Sequence, residues 1–109
     1  MHIFEVRDDE LMTSIAAQAK AAGVENGAIV SLIGAVDEFT VSTMPADDAT
    51  KDVFTDYALP AEMSGTGEIV NGTVHVHAVM AVAGDKAVSG HLHRAVVRTH
   101  FARVYVVGA

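Results

Sequence analysis

Four of the six histidines in this chain fall within nineteen residues, and their spacing is the feature with the most direct chemical meaning. His75 and His77 are two residues apart in the segment TVHVHAVMAV, in which polar and apolar residues alternate. That alternation predicts a β-strand, so both imidazoles leave the same face with Cα atoms roughly 7 Å apart. Imidazole nitrogen is a common ligand for divalent transition metals, and a third imidazole nearby would make a metal site.

Whether a third imidazole lies near His75 and His77 depends on how the next strand pairs with theirs. Two antiparallel registers are possible. The first register pairs Ala81 with Ala87. It places His91 directly opposite His77. A shift of two residues places His93 there instead, with His91 one diagonal step away. In both registers all four histidines share one face of the sheet, because the side-chain period of a strand is two residues.

Three imidazoles with an open position form a familiar catalytic arrangement for a divalent metal. The chain has no cysteine, which excludes thiolate ligands, disulfides and a cysteine nucleophile. Zinc, iron, nickel, cobalt and manganese all stay compatible with such a site. The same His-x-His pattern is also typical of the solvated polar face of an amphipathic strand, so the residues alone leave both interpretations open. His2 and His100 have no such partners, and we interpret them as structural or exposed.

A β-hairpin is predicted to present these histidines. Asn71 and Gly72 both tolerate the positive φ of a tight hairpin turn, so GEIV (67–70), at the end of a segment with strand character at 61–70, should pair with the strand at 73–82. A second turn, AGDK, leads to the run at 88–107. This run is long, and we expect it to split into two strands or to bend at Gly90.

The first half of the chain predicts one helix among several strands. A cluster of three acids precedes a helix predicted over 9–22, and Gly23 sits where a helix usually stops. Strands are predicted at 2–7, 28–36 and 38–44, with Gly34 marking a bend or bulge and a polar loop at 44–52. This order predicts a single α+β domain over 1–109, built on an antiparallel sheet flanked by one or two helices.

Composition limits the classes of partner. The 109 residues carry 7 Lys and Arg against 14 Asp and Glu, a net charge of −7, which predicts weak binding to a bare phosphate backbone. A domain this small buries a modest share of its surface, so association with copies of itself is expected. No apolar run approaches the ~20 residues of a membrane helix. The N-terminus lacks the pattern of a signal peptide, and we expect a cytoplasmic protein.

Several short motifs, taken in order, resemble the PPC (plants and prokaryotes conserved) domain along nearly the whole chain. They are VRDDELMTSIAAQAKAAG with Arg7, SLIGA (31–35), AEMSGTGEIV (61–70) and HVHAVMAVAGDKAVSGHL (75–92). The resemblance implies an antiparallel sheet flanked by helices, a homotrimer, and His75, His77 and His91 as metal ligands. His93 lies outside the family pattern, which usually has an aliphatic residue after Gly-His-Leu. The fold is also similar to that of acetolactate decarboxylase, whose catalytic zinc is held by three histidines.

These residues favour a small metalloenzyme, with zinc as the first expectation. The metal would act as a Lewis acid on a carbonyl or carboxylate oxygen, or would lower the pKa of a bound water. Glu62 matches the family's Glu position and is the candidate general acid or base; the alternative is a surface carboxylate. Arg7 is the candidate for binding a substrate carboxylate, unless it forms a salt bridge with a neighbouring acid (Glu5, Asp8 or Asp9). We expect lyase, decarboxylase or hydrolase chemistry on a small oxygenated acid.

Two other functions compete with this one. A DNA-associated regulator would use Arg94, Arg98 and Arg103, but three arginines on an acidic domain are more typical of ordinary surface charge. We also expect no AT-hook, the basic segment of plant PPC-domain proteins, and AEMSGTG stands in place of the plant family's basic-aromatic motif. In the third hypothesis the histidines bind a metal that stabilises a non-catalytic trimeric scaffold.

Overall fold

A computed structural model describes residues 1–109 as nine strands and one helix. In chain order they are β1 (His2–Val6), β2 (Asp9–Glu10), α1 (Leu11–Ala21), β3 (Gly27–Val36), β4 (Glu38–Thr43), β5 (Val53–Tyr57), β6 (Ala61–Val70), β7 (Thr73–Val82), β8 (Lys86–Val97) and β9 (Ala102–Gly108). The strands form one sheet in the order β1-β9-β3-β6-β7-β8-β4-β5, with β2 paired to β8. Every pairing is antiparallel, which confirms the α+β class and the antiparallel sheet.

The hydrophobic core lies between α1 and one face of this sheet. Leu11, Ile15 and Ala19 recur at helical spacing and are at most 2% exposed. Val76 and Met80 of β7 are fully buried against them. Because side chains alternate along a strand, burial of these residues turns their neighbours in β7 toward the face that α1 does not cover.

The helix starts later than predicted. It begins at Leu11 rather than at residue 9, because the two preceding acids pair with β8 as β2. The Glu10 carboxylate accepts hydrogen bonds from the Met12 and Thr13 amides, both at 2.9 Å. It also accepts one from the Ala95 amide at 2.9 Å. The acid cluster therefore caps the helix as expected, and the same carboxylate ties the helix to β8.

The turns confirm the predicted hairpins. Asn71 and Gly72 have φ values of 49° and 79° and join the facing ends of β6 and β7. A short turn around Gly84, with φ 84°, joins β7 to β8. The run predicted at 88–107 splits in two after Val97, and β8 passes through Gly90 without a break. Strands predicted at 2–7, 28–36 and 38–44 match the structure to within one residue at either end.

The irregularity predicted at Gly34 lies elsewhere. The register of β3 shifts between Ile29 and Leu32, so the bulge precedes the glycine. Gly34 is instead a point of close approach, where a side chain would strike the carbonyl oxygen of Phe101 and would lie 2.6 Å from the Cα of Ala102. The glycine is required by the contact of β3 with β9 and not by a bulge.

A membrane-spanning helix is absent, since α1 has only 11 residues and no helix of the structure is both long and apolar enough to cross a bilayer.

Candidate metal centre

Three histidines converge on the face of the sheet that α1 leaves uncovered. His75 and His77 project from β7, and His91 lies directly opposite His77 on β8. This is the first of the two registers that the sequence allowed. One nitrogen from each ring falls within 4.8 Å of the others, and the Nε2 atoms of His75 and His77 are 3.1 Å apart. The three residues named from the sequence are therefore brought together by one hairpin.

The cluster has the dimensions of a three-imidazole metal site. Zinc–nitrogen bonds of about 2.0–2.1 Å place tetrahedral ligand atoms about 3.4 Å apart. In the cluster, one pair of ring nitrogens is 3.1 Å apart and all three lie within 4.8 Å of one another, which brackets that spacing. His75 and His91 are half-buried and His77 is exposed, so one side of the cluster faces solvent and leaves room for a further ligand.

The surroundings of His91 disfavour the protonated form of its imidazole. Burial lowers the pKa of its imidazole below the ordinary value, and the neighbouring rings of His93, His75 and His77 lower it further when they carry charge. The Asp52 carboxylate opposes this shift. A neutral imidazole has a free lone pair on one ring nitrogen, so these surroundings favour the ligand form of His91.

His93 lies beside the triad but is not part of it. Its ring stacks on His91 with centroids 4.2 Å apart, and the Phe54 ring packs against it with centroids 4.6 Å apart. Its Nε2 is 2.7 Å from the hydroxyl oxygen of Ser42, which is only 2% exposed. The register of β4 against β8 shifts at this point, so His93 occupies a bulge. These contacts hold His93 against the ring of His91.

A cavity of about 800 Å³ opens next to His77 and His91. Its lining includes one carboxylate, that of Asp52, and five residues that carry hydroxyl groups: Ser42, Thr43, Ser64, Thr66 and Ser89. Such a wall suits an oxygenated ligand, because it offers both donors and acceptors of hydrogen bonds.

Glu62 and Arg7 do not reach this cavity within one subunit. Glu62 lies on β6 two residues from Ser64, which lines the cavity, but Glu62 itself lines a separate cavity of about 640 Å³. It is roughly 13 Å along the strand from Thr66, the residue opposite His77. Arg7 follows β1, which is four strands from β7, roughly 19 Å across the sheet. Its guanidinium contacts Glu5 at 3.3 Å and lies over the Phe101 ring. Their catalytic roles stay predictions.

Two acids near the triad were missed from the sequence. Glu68 lies opposite His75, with its carboxylate 3.5 Å from the His75 Nδ1 atom. The Asn71-Gly72 turn fixes this pairing, so the sequence held a usable signal for Glu68. Asp52 comes from the irregular segment between β4 and β5, and no periodic pattern connects that segment to the histidines.

Comparison with solved structures supports the fold. The chain is similar to a provisionally named DNA-binding protein from Ralstonia eutropha (TM-score 0.83, 19% identity, 98% of this chain and 76% of that one). It is similar to a plant- and prokaryote-conserved (PPC) protein from Pyrococcus horikoshii (TM-score 0.81, 20% identity, 99% and 79%). It is also similar to a metal-containing protein from Archaeoglobus fulgidus (TM-score 0.74, 19% identity, 98% and 79%). At these identities the likeness establishes the fold and not the function.

No curated protein matches the sequence. The remoter similarity to acetolactate decarboxylase stays a prediction. The model of one protein family, in contrast, matches the chain from residue 1 to residue 109, which covers the strand, the helix and the histidine hairpin alike. The chain belongs to the Plants and Prokaryotes Conserved (PCC) domain family, the family called PPC above.

Proposed function

We propose that this PCC-domain protein binds one divalent metal ion through His75, His77 and His91 and holds a small oxygenated molecule, such as a carboxylate, beside it. The observation that carries the proposal is the convergence of three imidazoles next to a cavity of about 800 Å³. Zinc is the expected metal, because three imidazoles and an open position suit it; iron, nickel, cobalt and manganese are the alternatives. A related structure is that of a metal-containing protein, which supports the same assignment.

The metal, when bound, would supply Lewis acidity toward a carbonyl or carboxylate oxygen. The protein's own residues would orient the ligand. Ser64 and Ser89 offer hydroxyl groups on neighbouring parts of the cavity wall, and Val79 between them offers apolar contact. Asp52 lines the same cavity, and in this proposal its carboxylate would accept a proton from the bound ligand. These groups suit lyase, decarboxylase or hydrolase chemistry on a small oxygenated acid.

A homotrimer is part of the proposal. The sheet face that carries the histidines is not covered by the helix, and it exposes apolar side chains on β3 and β7, with Ser64 of β6 between them. Ile33 and Val79 are 55% and 47% exposed. A second copy that covers them would bury this area and bring the cavity to a subunit boundary. Glu62 and Arg7 would then act only from a neighbouring copy.

The test is ligand binding to the cobalt(II)-loaded protein. Acetate, malonate and glycerol are titrated in turn while the visible absorption of the cobalt ion is recorded. We expect a saturable change with the carboxylates, and no cobalt spectrum in His75→Ala/His77→Ala. The metal-stabilised scaffold would be favoured instead by two results together: a cobalt spectrum that does not change with any probe, and unfolding or dissociation of the protein when the metal is removed.

DNA binding is the second candidate, because two similar structures carry provisional DNA-binding names. The arginines that would serve it are paired with acids: Arg94 and Arg98 both contact Glu38, at 2.9 and 3.1 Å. Arg103 contacts Glu5 at 3.4 Å. We therefore expect no tight binding to duplex DNA. Fluorescence anisotropy at about 50 mM and about 200 mM salt tests this, and tight binding that falls steeply with salt would favour the DNA-associated function.

A further inference from the structure

The His75 ring makes contacts at both of its nitrogens, in opposite directions. Its Nε2 lies 3.1 Å from the Nε2 of His77, on the side where the three ligand atoms meet. Its Nδ1 lies 3.5 Å from the Glu68 carboxylate on the neighbouring strand. That second contact is slightly longer than a typical N–H···O hydrogen bond of about 2.7–3.2 Å. One nitrogen therefore faces the metal cluster and the other faces an acid.

The pairing of β6 with β7 determines this arrangement. The Asn71-Gly72 turn pairs the facing ends of β6 and β7, so Glu68 must lie directly opposite His75. Directly opposite residues share a face with Cβ atoms about 4.5–5.5 Å apart. Glu68 forms no ion pair with any lysine or arginine, and His75 is the one partner of its carboxylate. The acid is thus free to serve the imidazole.

We propose that Glu68 is a positioning residue for the metal site: it accepts a hydrogen bond from the Nδ1–H of neutral His75 and so directs the Nε2 lone pair toward the metal. Metal-binding histidines usually donate their second N–H to a carboxylate or carbonyl, which fixes both the tautomer and the ring orientation. This inference rests on the proposed metal site. It adds a residue that does not touch the metal but determines which nitrogen of His75 does.

A surface ion pair is the competing explanation for the same contact. Both side chains are about half exposed, and exposed ion pairs contribute little to stability. The two explanations differ in protonation state. An ion pair requires a protonated His75, which has no lone pair for a metal, whereas a positioning role requires the neutral Nδ1–H tautomer.

The experiment compares Glu68→Ala with a matched variant, Glu25→Ala. Glu25 is also an exposed glutamate, and its removal changes the net charge equally. Zinc affinity is measured by chelator competition. The tautomer of His75 is measured by ¹⁵N NMR on the metal-free proteins at mildly alkaline pH. Circular dichroism confirms that both variants fold.

We expect Glu68→Ala to bind zinc about 10–100-fold more weakly than wild type, while Glu25→Ala stays within about twofold. We also expect His75 to change from the Nδ1–H form to a tautomer mixture in Glu68→Ala alone. Zinc binding by Glu68→Ala that matches Glu25→Ala overturns the inference, and so does an unchanged tautomer. Failure of the proposed metal site is recognised separately, because wild type itself would then bind no zinc.

Discussion

Among the single residues of the site, His91 has the most altered acid–base behaviour. Burial is the first cause of its lowered pKa, and the possible charges on three neighbouring imidazoles act in the same direction. Metal ligands must be deprotonated to bind. The packing that lowers the pKa of His91 therefore prepares it for a metal, at the cost of making its protonation unfavourable in the folded protein.

In the metal-free protein, the lowered pKa of His91 makes the free energy of unfolding depend on pH. The folded-state pKa of His91 lies below the unfolded value of about 6.5, so the unfolded chain binds more protons as the pH falls below that value. The contribution of His91 to the free energy of unfolding is fully present above about pH 6.5 and is lost as the pH falls through the lower folded-state pKa. Urea denaturation at a series of pH values from about pH 8 to about pH 5 measures this change in the free energy of unfolding. We expect a smaller loss on acidification in His91→Gln than in wild type, and equal losses in both proteins would contradict this assignment.

At the scale of elements, the β7–β8 hairpin makes the site. The sequence narrowed the register of this hairpin to two alternatives. Both of them place the histidines on one face of the sheet. The compact turn with positive φ at Gly84 and Asp85 selects the first, and the sequence AGDK did not fix how many residues that turn would use. The bulge at His93 was not predictable, because it depends on how β4 meets β8 and nothing in the apolar pattern of β8 marks it.

The acids around the triad differ in how far the sequence could predict their positions. The hairpin signal at Asn71 and Gly72 fixes the pairing of Glu68 with His75, so an outer partner of the triad was within reach of the sequence. The position of Asp52 depends on an irregular segment folding back over the sheet, which local propensity does not determine. Glu62 matched a family position, yet its strand carries it away from the triad within one subunit.

Gly90 lies where β8 packs closely against β4, next to His91. A substitution at this position tests how close the two strands must be. A Cβ at this position would lie 2.5 Å from the Ser42 carbonyl oxygen and 3.2 Å from the Thr43 side chain. Backbone cannot move aside cheaply, so we expect Gly90→Ala to lower the free energy of unfolding by about 1–3 kcal/mol. Metal affinity should fall as well, because His91 is the next residue.

The matched control for that substitution is Gly108→Ala. An added Cβ there meets no atom within 4 Å, and we expect no measurable loss of stability. Urea denaturation of the two variants beside wild type decides the matter. Equal stability of Gly90→Ala and Gly108→Ala would show that β4 and β8 tolerate a wider separation than the structure has.

For the whole molecule, the uncovered face of the sheet is the feature that the single chain does not explain. One helix covers one side, while the other side combines the histidines with exposed apolar residues such as Ile33 and Val79. Exposed apolar side chains grouped on one face are typical of an interaction site. The proposed homotrimer accounts for this surface and for the position of the metal site on it.

Light scattering after size exclusion tests the assembly. We expect a mass three times that of one chain for wild type, and a lower mass for Ile33→Glu, because a charge would be buried in the interface. Ala17→Glu, on the exposed side of α1, should leave the mass unchanged. A wild-type mass equal to one chain would rule out the trimer and confine the site to one subunit.

Metal content per chain tests the central claim most directly. Plasma mass spectrometry is applied to gently purified wild type and to His75→Ala/His77→Ala, both before and after incubation with zinc, iron, nickel and manganese salts. We predict about one divalent ion per chain in wild type and none retained by the double variant, as three imidazoles on one centre require. Wild-type protein without stoichiometric metal after every incubation would contradict the metal centre and leave the histidines as a polar face of the sheet.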